Sequence, residues 1–529
     1  MKLTKKSGIA IISASVLASI LAFTGTEQPI VAEETAIVEE VKADKEVVQT
    51  EEEEASVEKE ELQAEKDVAP TIEETPKYIF AFIGDGMSHV QINSAQVYNG
   101  TRDHKDEVAL TELNFTKFPT LGNMYTQDAT SFDPDSASTA TSMLTGEKTH
   151  SGVIGLGIDK TTVLKTLPEM LKEDGYKIGV VSTVTLNHAT PAASYAHTES
   201  RDNYYDIAMQ MADSNFDYFA GGELSEADDD GTQKSAYEVM EEKGYTVVNT
   251  AEEFENIKNG DKVYAISPDA DGAMPYSLDA AEDALTLADF VEKGIEVLDN
   301  EDKGFFMWIE SGKIDWAGHA NDAMANIQDT LALDKAVEEA IEFYNEHPED
   351  TLIIVTGDHE TGGMTIGQAS TGYDTAFDLL DNQKVSYDKF DDMFADFKAN
   401  NPEATFTDVL DLIKDNFGLV TEDDTACVDN EALILSDYEY DKLFNAFEES
   451  MKPRVADTEE NDILYGGYEP ITVTLTHILN AKAGIGWTSY SHTGVPVAIY
   501  AMGENASTFS GAFDNTELFD KLVSLYAAE

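Results

Sequence analysis

Residues 78–87 read Tyr-Ile-Phe-Ala-Phe-Ile-Gly-Asp-Gly-Met, six apolar residues running straight into Gly84-Asp85-Gly86. An unbroken apolar run of this length suits a strand buried on both faces, as in a parallel sheet covered by helices. Comparable runs occur at 178–181, 305–309, 352–355 and 495–500, with helical stretches between them, for example 166–173 and 334–344. The alternation predicts an α/β fold: a three-layer sandwich with a largely parallel central sheet flanked by helices. Residues 367–470 break the alternation. They hold 26 acidic and 7 basic residues, with amphipathic helical pieces near 388–397 and 408–417, and read as an inserted acidic subdomain.

In an open α/β sheet, ligands bind beyond the carboxyl ends of the strands. The residues just after each apolar run are therefore informative. Asp85 comes after the first. Asn187, His188 and Thr190 come after 178–181. Glu310, Asp315 and His319 come after 305–309, and Asp358 and His359 after 352–355. One Gly-Asp-Gly is usually a turn, and a single His is usually just hydrogen-bonded. Four strands delivering such residues to one edge point to a site. Asp315 and His319 are four apart and share one face of a helical turn, a two-ligand metal spacing. Imidazole plus carboxylate without thiolate suits catalytic zinc with an open position.

The segment Asp133-Pro134-Asp135-Ser136-Ala137 enters a run of small residues that ends near Gly146. Ser136 would start that helix, where backbone N–H groups and the helix dipole favour an anion such as phosphate. Taken alone, Asp-Ser-Ala reads as a plain N-cap. No Ser-His-Asp order or Gly-x-Ser-x-Gly elbow is present to activate a serine, although a metal could do so. Arginine occurs only at 102, 201 and 454. Arg201, close after the His188/Thr190 segment, is a candidate bidentate phosphate clamp, with a surface ion pair as the bland alternative.

The 529 residues carry 103 acidic against 34 Lys and Arg side chains, a formal charge of −69. That excess repels nucleic acid and anionic membranes and suits a salty medium, where screening relieves self-repulsion. The single cysteine, Cys427, excludes an intrachain disulfide and a cysteine-only metal site. Lys2, Lys5 and Lys6 precede an apolar run at 9–23, and small residues reach Ala32, so 1–32 reads as an export signal rather than a span. Residues 33–76 carry a net −13 with no glycine or aromatic residue, the composition of a disordered acidic leader. The folded domain is expected over 77–529, which still carries −58. The expected location is extracellular or in the cell envelope or periplasm, with no membrane span in the mature chain.

Several motifs, in this order, give the chain a resemblance to the alkaline phosphatase family across roughly 77–366 and 471–510. They are Ile83-Gly84-Asp85-Gly86-Met87, Pro134-Asp135-Ser136-Ala137, Ala189-Thr190-Pro191-Ala192-Ala193, Glu310 with Ile314-Asp315 and His319, Thr356 to Gly363, and Ser491-His492-Thr493-Gly494. The resemblance implies hydrolysis of small-molecule phosphate monoesters through a phosphoserine at Ser136. It implies a first zinc (Zn2+) on Asp315, His319 and His492, and a second on Asp85, Asp358 and His359. It also implies a magnesium (Mg2+) on Asp85, Thr190 and Glu310, a phosphate grip from Arg201, and a homodimer. His492 precedes its strand, so strand ends alone do not point to it. Some members carry Asp and Lys where this chain has His188 and Trp316, which leaves the third ion open between magnesium and zinc. Two other readings stay open: a phosphodiesterase of the same superfamily, or a non-catalytic acidic cation-binding surface protein. Arg201 near the proposed anion site argues for a dianionic monoester over the first, and comparing turnover of mono- and diesters would separate them. The presence of both Ser136 and Arg201 argues against the second.

Overall fold

The computed structural model describes residues 75–526, apart from 106, 230, 301–302, 428–429 and 454–457. The export signal at 1–32, nearly all of the acidic leader at 33–76, Arg454 and the side chain of Cys427 lie outside the described residues. Thr75 is already tied into the fold, its Oγ1 donating to the Leu525 carbonyl at 2.9 Å.

Among the described residues, ten strands form the central sheet. In chain order they are β1 (Tyr78–Gly84), β2 (Thr120–Tyr125), β3 (Lys177–Ser182), β4 (Tyr218–Gly221), β5 (Thr246–Val248), β6 (Val263–Ile266), β7 (Phe305–Ser311), β8 (Thr351–Gly357), β9 (Val497–Gly503) and β10 (Gly511–Asp514). Across the sheet the order is β10-β2-β9-β8-β1-β7-β3-β4-β6-β5. Of these ten, only β9 runs against its neighbours β2 and β8; the other pairings are parallel. The sheet is thus largely parallel, as the apolar runs predict. The run at 495–500 becomes β9, which begins two residues later, at Val497.

The unbroken apolar character of β1 has a direct cause. Every one of its residues is buried, and alternate side chains enter two different cores. Tyr78, Phe80 and Phe82 join the core on one face, while Ile79, Ala81 and Ile83 join the core on the other. The long helix Ala323–Glu346 covers the first face, its Phe343 ring meeting Tyr78 edge-on at 4.9 Å. The helix Ser136–Thr145 lies on the second face, with Ala137, Ala140, Met143 and Leu144 in that core. Its sequence, Ser-Ala-Ser-Thr-Ala-Thr-Ser-Met-Leu-Thr, is fully buried, so small side chains are what close packing there admits.

Within 367–470, the helices Tyr387–Asn400, Phe406–Phe417, Asp437–Ser450 and Glu459–Tyr465 are each amphipathic or short. Their Phe390, Phe394, Phe406, Phe417 and Phe447 side chains belong to the same contiguous core as Phe80 and Phe82. Among the described residues, no helix is long and apolar enough to cross a membrane.

The topology places the site. Strands β8, β1, β7 and β3 are neighbours running the same way, so their carboxyl ends open on one edge. Glu310 is level with Ile83 in β1, two residues short of Asp85. Thr356 is level with the same residue from the other side, two before Asp358.

Candidate active site

Asp85, Asp358 and His359 leave the ends of β1 and β8. They meet around one imidazole nitrogen. His359 Nε2 lies 3.3 Å from Asp85 Oδ1, 3.2 Å from Asp358 Oδ2 and 3.2 Å from Ser136 Oγ. Ser136 is delivered by its helix, capped by Asp135, whose carboxylate accepts the Ser138 backbone N–H at 3.1 Å. Asp358 is further fixed by the Gly86 backbone N–H at 3.2 Å and the Thr139 hydroxyl at 3.0 Å. Gly86 must be glycine here. Its φ is +71°, and a Cβ would sit 2.7 Å from Thr361 Oγ1 and 2.9 Å from the Asp315 Cα.

The next group arrives from β7 and from near the C-terminus. Asp315 and His319 occupy the single short helix Lys313–His319, with His319 Nε2 3.4 Å from Asp315 Oδ1. His492 sits on a two-residue strand that pairs antiparallel with Glu360–Thr361, and this pairing carries it to His359. The two rings stack at 3.7 Å. His492 Nε2 is 3.0 Å from His319 Nε2 and 3.5 Å from Asp315 Oδ1.

Glu310 and Thr190 lie beside Asp85. The Thr190 hydroxyl donates to Asp85 Oδ2 at 3.3 Å, and the Ser182 hydroxyl donates to Glu310 Oε2. His188 sits close to the same pair: Asp85, His188 and Glu310 present ligand atoms within 4.8 Å of one another. The same closeness holds for Asp85 with Asp358 and His359, and for Asp315 with His359 and His492. His188 thus joins a potential ligand group although its sequence position marks it only as a neighbour. His319 reaches His492 and Asp315 from the outer side.

Arg201 completes the site. Its Nη1 pairs with Asp135 Oδ2 at 3.0 Å, and its Nη2 donates to His188 Nε2 at 3.2 Å. To accept, His188 must be neutral. Burial, aided by the Arg201 charge, lowers its pKa to about 3. Trp316 meets the His188 ring edge-on at 6.0 Å.

The electrostatics of this cluster call for cations. Asp85, Glu310, Asp315 and Asp358 are all at most 4% exposed. Burial and mutual repulsion push Asp85 well up, Glu310 to about 7 and Asp358 to about 6. Burial also opposes ionisation of Asp315, but His319 and His492 outweigh it and hold that carboxyl well below the usual range. Two buried carboxylate oxygens, Asp85 Oδ1 and Glu310 Oε1, have no hydrogen-bond partner among the described residues, nor has the Nδ1–H that His188 carries while its Nε2 accepts from Arg201. Orphaned carboxylate oxygens and converging imidazoles are unfavourable alone and fit zinc or magnesium.

Of the strand-end residues named from the sequence, Asn187 instead donates to the Tyr204 and Ser225 carbonyls; the other site residues named there lie in this cluster. Position along the chain gives no role to Asp135, Thr139, Ser182 or Thr361, which orient the acids and Arg201. It also gives none to Glu360, whose buried carboxylate accepts from Gln91 at 2.7 Å and from two backbone N–H groups. Asp135 carries a signal as the residue before a helix start; the others adjoin the site only in space.

The chain is similar to known proteins over most of its length. The family model for alkaline phosphatase matches residues 76–527. Alkaline phosphatase 4 of Bacillus subtilis is 30% identical over 454 residues, covering 83% of this chain and 86% of that protein. Alkaline phosphatase 3 of the same organism is 28% identical over 450 residues, covering 84% and 87%. The crystal structure of a cold-active alkaline phosphatase from a psychrophilic Shewanella species superposes with a TM-score of 0.69 at 28% identity, covering 85% of this chain and 99% of that one.

Proposed function

The chain belongs to the alkaline phosphatase family and is a phosphomonoester hydrolase, and on that premise we propose that it works through a phosphorylated Ser136. One observation carries this reading. Ser136 Oγ lies at the N-terminus of a buried helix, 3.2 Å from an imidazole nitrogen that two buried carboxylates also surround.

Asp315, His319 and His492 would hold one zinc, and Asp85, Asp358 and His359 a second. Asp85, Thr190 and Glu310 would hold a magnesium, where the nearby His188 makes zinc a competitor. When bound, such ions supply Lewis-acid stabilisation of charge at the attacking and leaving oxygens.

The protein's own groups do the rest. Asp135 and His188 each hold one nitrogen of Arg201, which pre-orients the guanidinium toward the non-bridging oxygens of the phosphoryl group. The N-terminal end of the helix Ser136–Thr145 adds its dipole at the same place. Ser136 gives up its hydroxyl proton to solvent and its Oγ attacks phosphorus in line; the Oγ–P bond forms, the bond to the ester oxygen breaks, and that oxygen takes up a proton to leave as the alcohol. Water then attacks the phosphoserine from the vacated side, restoring Ser136 and releasing inorganic phosphate. The same reading has the enzyme exported through residues 1–32 and dimeric, with 367–470 as an inserted acidic subdomain.

The test is hydrolysis of a chromogenic phosphate monoester at alkaline pH, with and without chelator, followed by zinc and magnesium add-back. Acid-quenched enzyme is then searched by mass spectrometry for phosphate on Ser136. The expected result is chelator-sensitive activity, restored by both metals, with label on Ser136 that Ser136→Ala abolishes. Wild-type turnover in Ser136→Ala would overturn the proposal.

A further inference from the structure

Lys313 is an ammonium group inside the protein, 3% exposed, three residues before Trp316 on the helix Lys313–His319. Such burial is costly unless something replaces the lost hydration. Two aromatic faces do so here. The Lys313 Nζ lies 3.9 Å from the centroid of Tyr276 and 4.7 Å from that of Trp316. The carboxylates of Asp329, Asp388 and Asp279 act on it through space. Two of these are taken up by other donors, Asp329 by Ser277 and Asp279 by Ser386.

The helix itself is well anchored. Its first backbone N–H, at Lys313, and that of Gly312 both donate to Thr183 Oγ1, at 3.3 and 2.9 Å. The i, i+3 spacing puts Lys313 and Trp316 on one face. Trp316 also meets the His188 ring, 6.0 Å away and nearly perpendicular at 77°. His188 in turn accepts from Arg201. A continuous series of contacts therefore runs from a buried cation to the guanidinium at the anion site.

We infer that Lys313 is a positioning residue for phosphate: it holds the Trp316 ring, which sets the His188 imidazole and through it the Arg201 guanidinium. Lys313 touches no substrate. A mere filler of this space could be apolar, whereas a cation costs hydration, which the two rings in contact with it and the three carboxylates acting through space offset. The inference rests on the phosphate-gripping role proposed for Arg201.

The test uses metal-loaded, full-length enzyme with Lys313→Met, which removes the charge but keeps the length, and Lys313→Arg, which keeps both charge and stacking. The probe is inorganic phosphate, titrated by calorimetry, alongside kcat and KM for a chromogenic monoester and metal content per chain. For Lys313→Met the expectation is a rise of about 3- to 10-fold in both the phosphate Kd and KM, matching a lost cation–π contact, with kcat and metal content nearly unchanged. Lys313→Arg should recover most of the affinity. In a His188→Ala background, Lys313→Met should have little further effect, because the two act in series. Wild-type phosphate affinity in Lys313→Met overturns the inference. So does a full additional loss in the His188→Ala background, or a loss confined to kcat and metal content. If Lys313→Met does not fold, Lys313→Gln carries the same test. A metal-loaded wild-type enzyme that itself fails to bind phosphate overturns the Arg201 role beneath the inference, and that result is visible before any variant is made.

Discussion

His319 and His492 face each other through their Nε2 atoms, 3.0 Å apart, while each Nδ1 donates to a backbone carbonyl at 2.6 Å, that of Tyr490 and that of Pro134 respectively. The carbonyl partners fix the tautomer, so both Nε2 atoms point lone pairs at the same space. Without a cation, one imidazole must be protonated. Burial works against the charged ring of His492, but the Asp315 carboxylate outweighs it and raises the pKa to about 9. Replacing either histidine leaves the other nitrogen and Asp315 facing a gap. His492→Ala is expected to lower the zinc content by one ion per chain and to reduce kcat/KM by at least about 100-fold. Elemental analysis of the purified variant, set beside its kinetics, checks this.

Arg201 is expected to act on binding more than on turnover, since its contacts are to the non-bridging oxygens that substrate and product share. Arg201→Ala should weaken competitive inhibition by phosphate about 10- to 100-fold, the worth of a charge-assisted bidentate contact. Asp135→Asn should give a smaller loss in the same direction, because it frees one nitrogen of the guanidinium from its partner. Phosphate inhibition constants for the two variants decide the matter. Equal loss in both would assign the effect to the helix cap.

Gly86→Ala should be damaging despite adding a single methyl group. The backbone there has φ +71°, and the new Cβ would collide with Thr361 Oγ1 and the Asp315 Cα. The strain costs about 1–3 kcal/mol, and relief can come only by moving residues that flank the site. A lowered urea midpoint together with reduced metal content is expected. A lowered midpoint with full metal content would mean that the strain relaxes elsewhere.

Asp391, on the helix Tyr387–Asn400, gives a pH dependence away from the site. Burial, with Glu469, Asp388 and Asp392 nearby, outweighs the Thr472 hydroxyl and raises its pKa to about 7. The folded value lies above the unfolded one. The stability this group contributes is therefore fully present below about pH 4 and is lost as pH rises through about 7. Asp391→Asn should match the wild type near pH 4 and exceed it above pH 7, by on the order of 2–4 kcal/mol. Denaturant unfolding at pH 5 and pH 8 measures the difference. An unchanged gap between wild type and variant at the two pH values would contradict the assignment.

The formal charge of −69 should make the fold salt-dependent. Raising sodium chloride from about 0.05 to 1 M shortens the Debye length from roughly 14 to 3 Å and screens the self-repulsion. Tm is expected to rise on the order of 5 °C over that range. Sucrose, which does not screen charge, serves as the control for general solute effects.

Much of this architecture is legible along the chain. The apolar runs that become β1, β3, β7 and β8 stand out because a strand covered on both faces admits almost no polar side chain. The strands Thr120–Tyr125 and Gly511–Asp514 do not stand out. Their residues alternate with exposed positions or are small, and short strands toward a sheet edge carry a weak signal. Asp315 and His319 are legible as a pair because helix geometry converts a spacing of four into a shared face.

A parallel α/β body, the acids and imidazoles at its strand ends, and a serine opening a helix of small residues can all be read along the chain. Those features come from local periodicity and from what burial permits. The packed fold sets β8, β1, β7 and β3 side by side, so that their ends converge on one point. It also carried His492 to His359 through a two-residue strand pairing, joined Arg201 to Asp135 and His188, and set Trp316 against the His188 ring. These contacts join residues far apart in the chain or at the meeting of several elements. Which elements meet is settled by packing the whole domain, and no local spacing encodes that outcome.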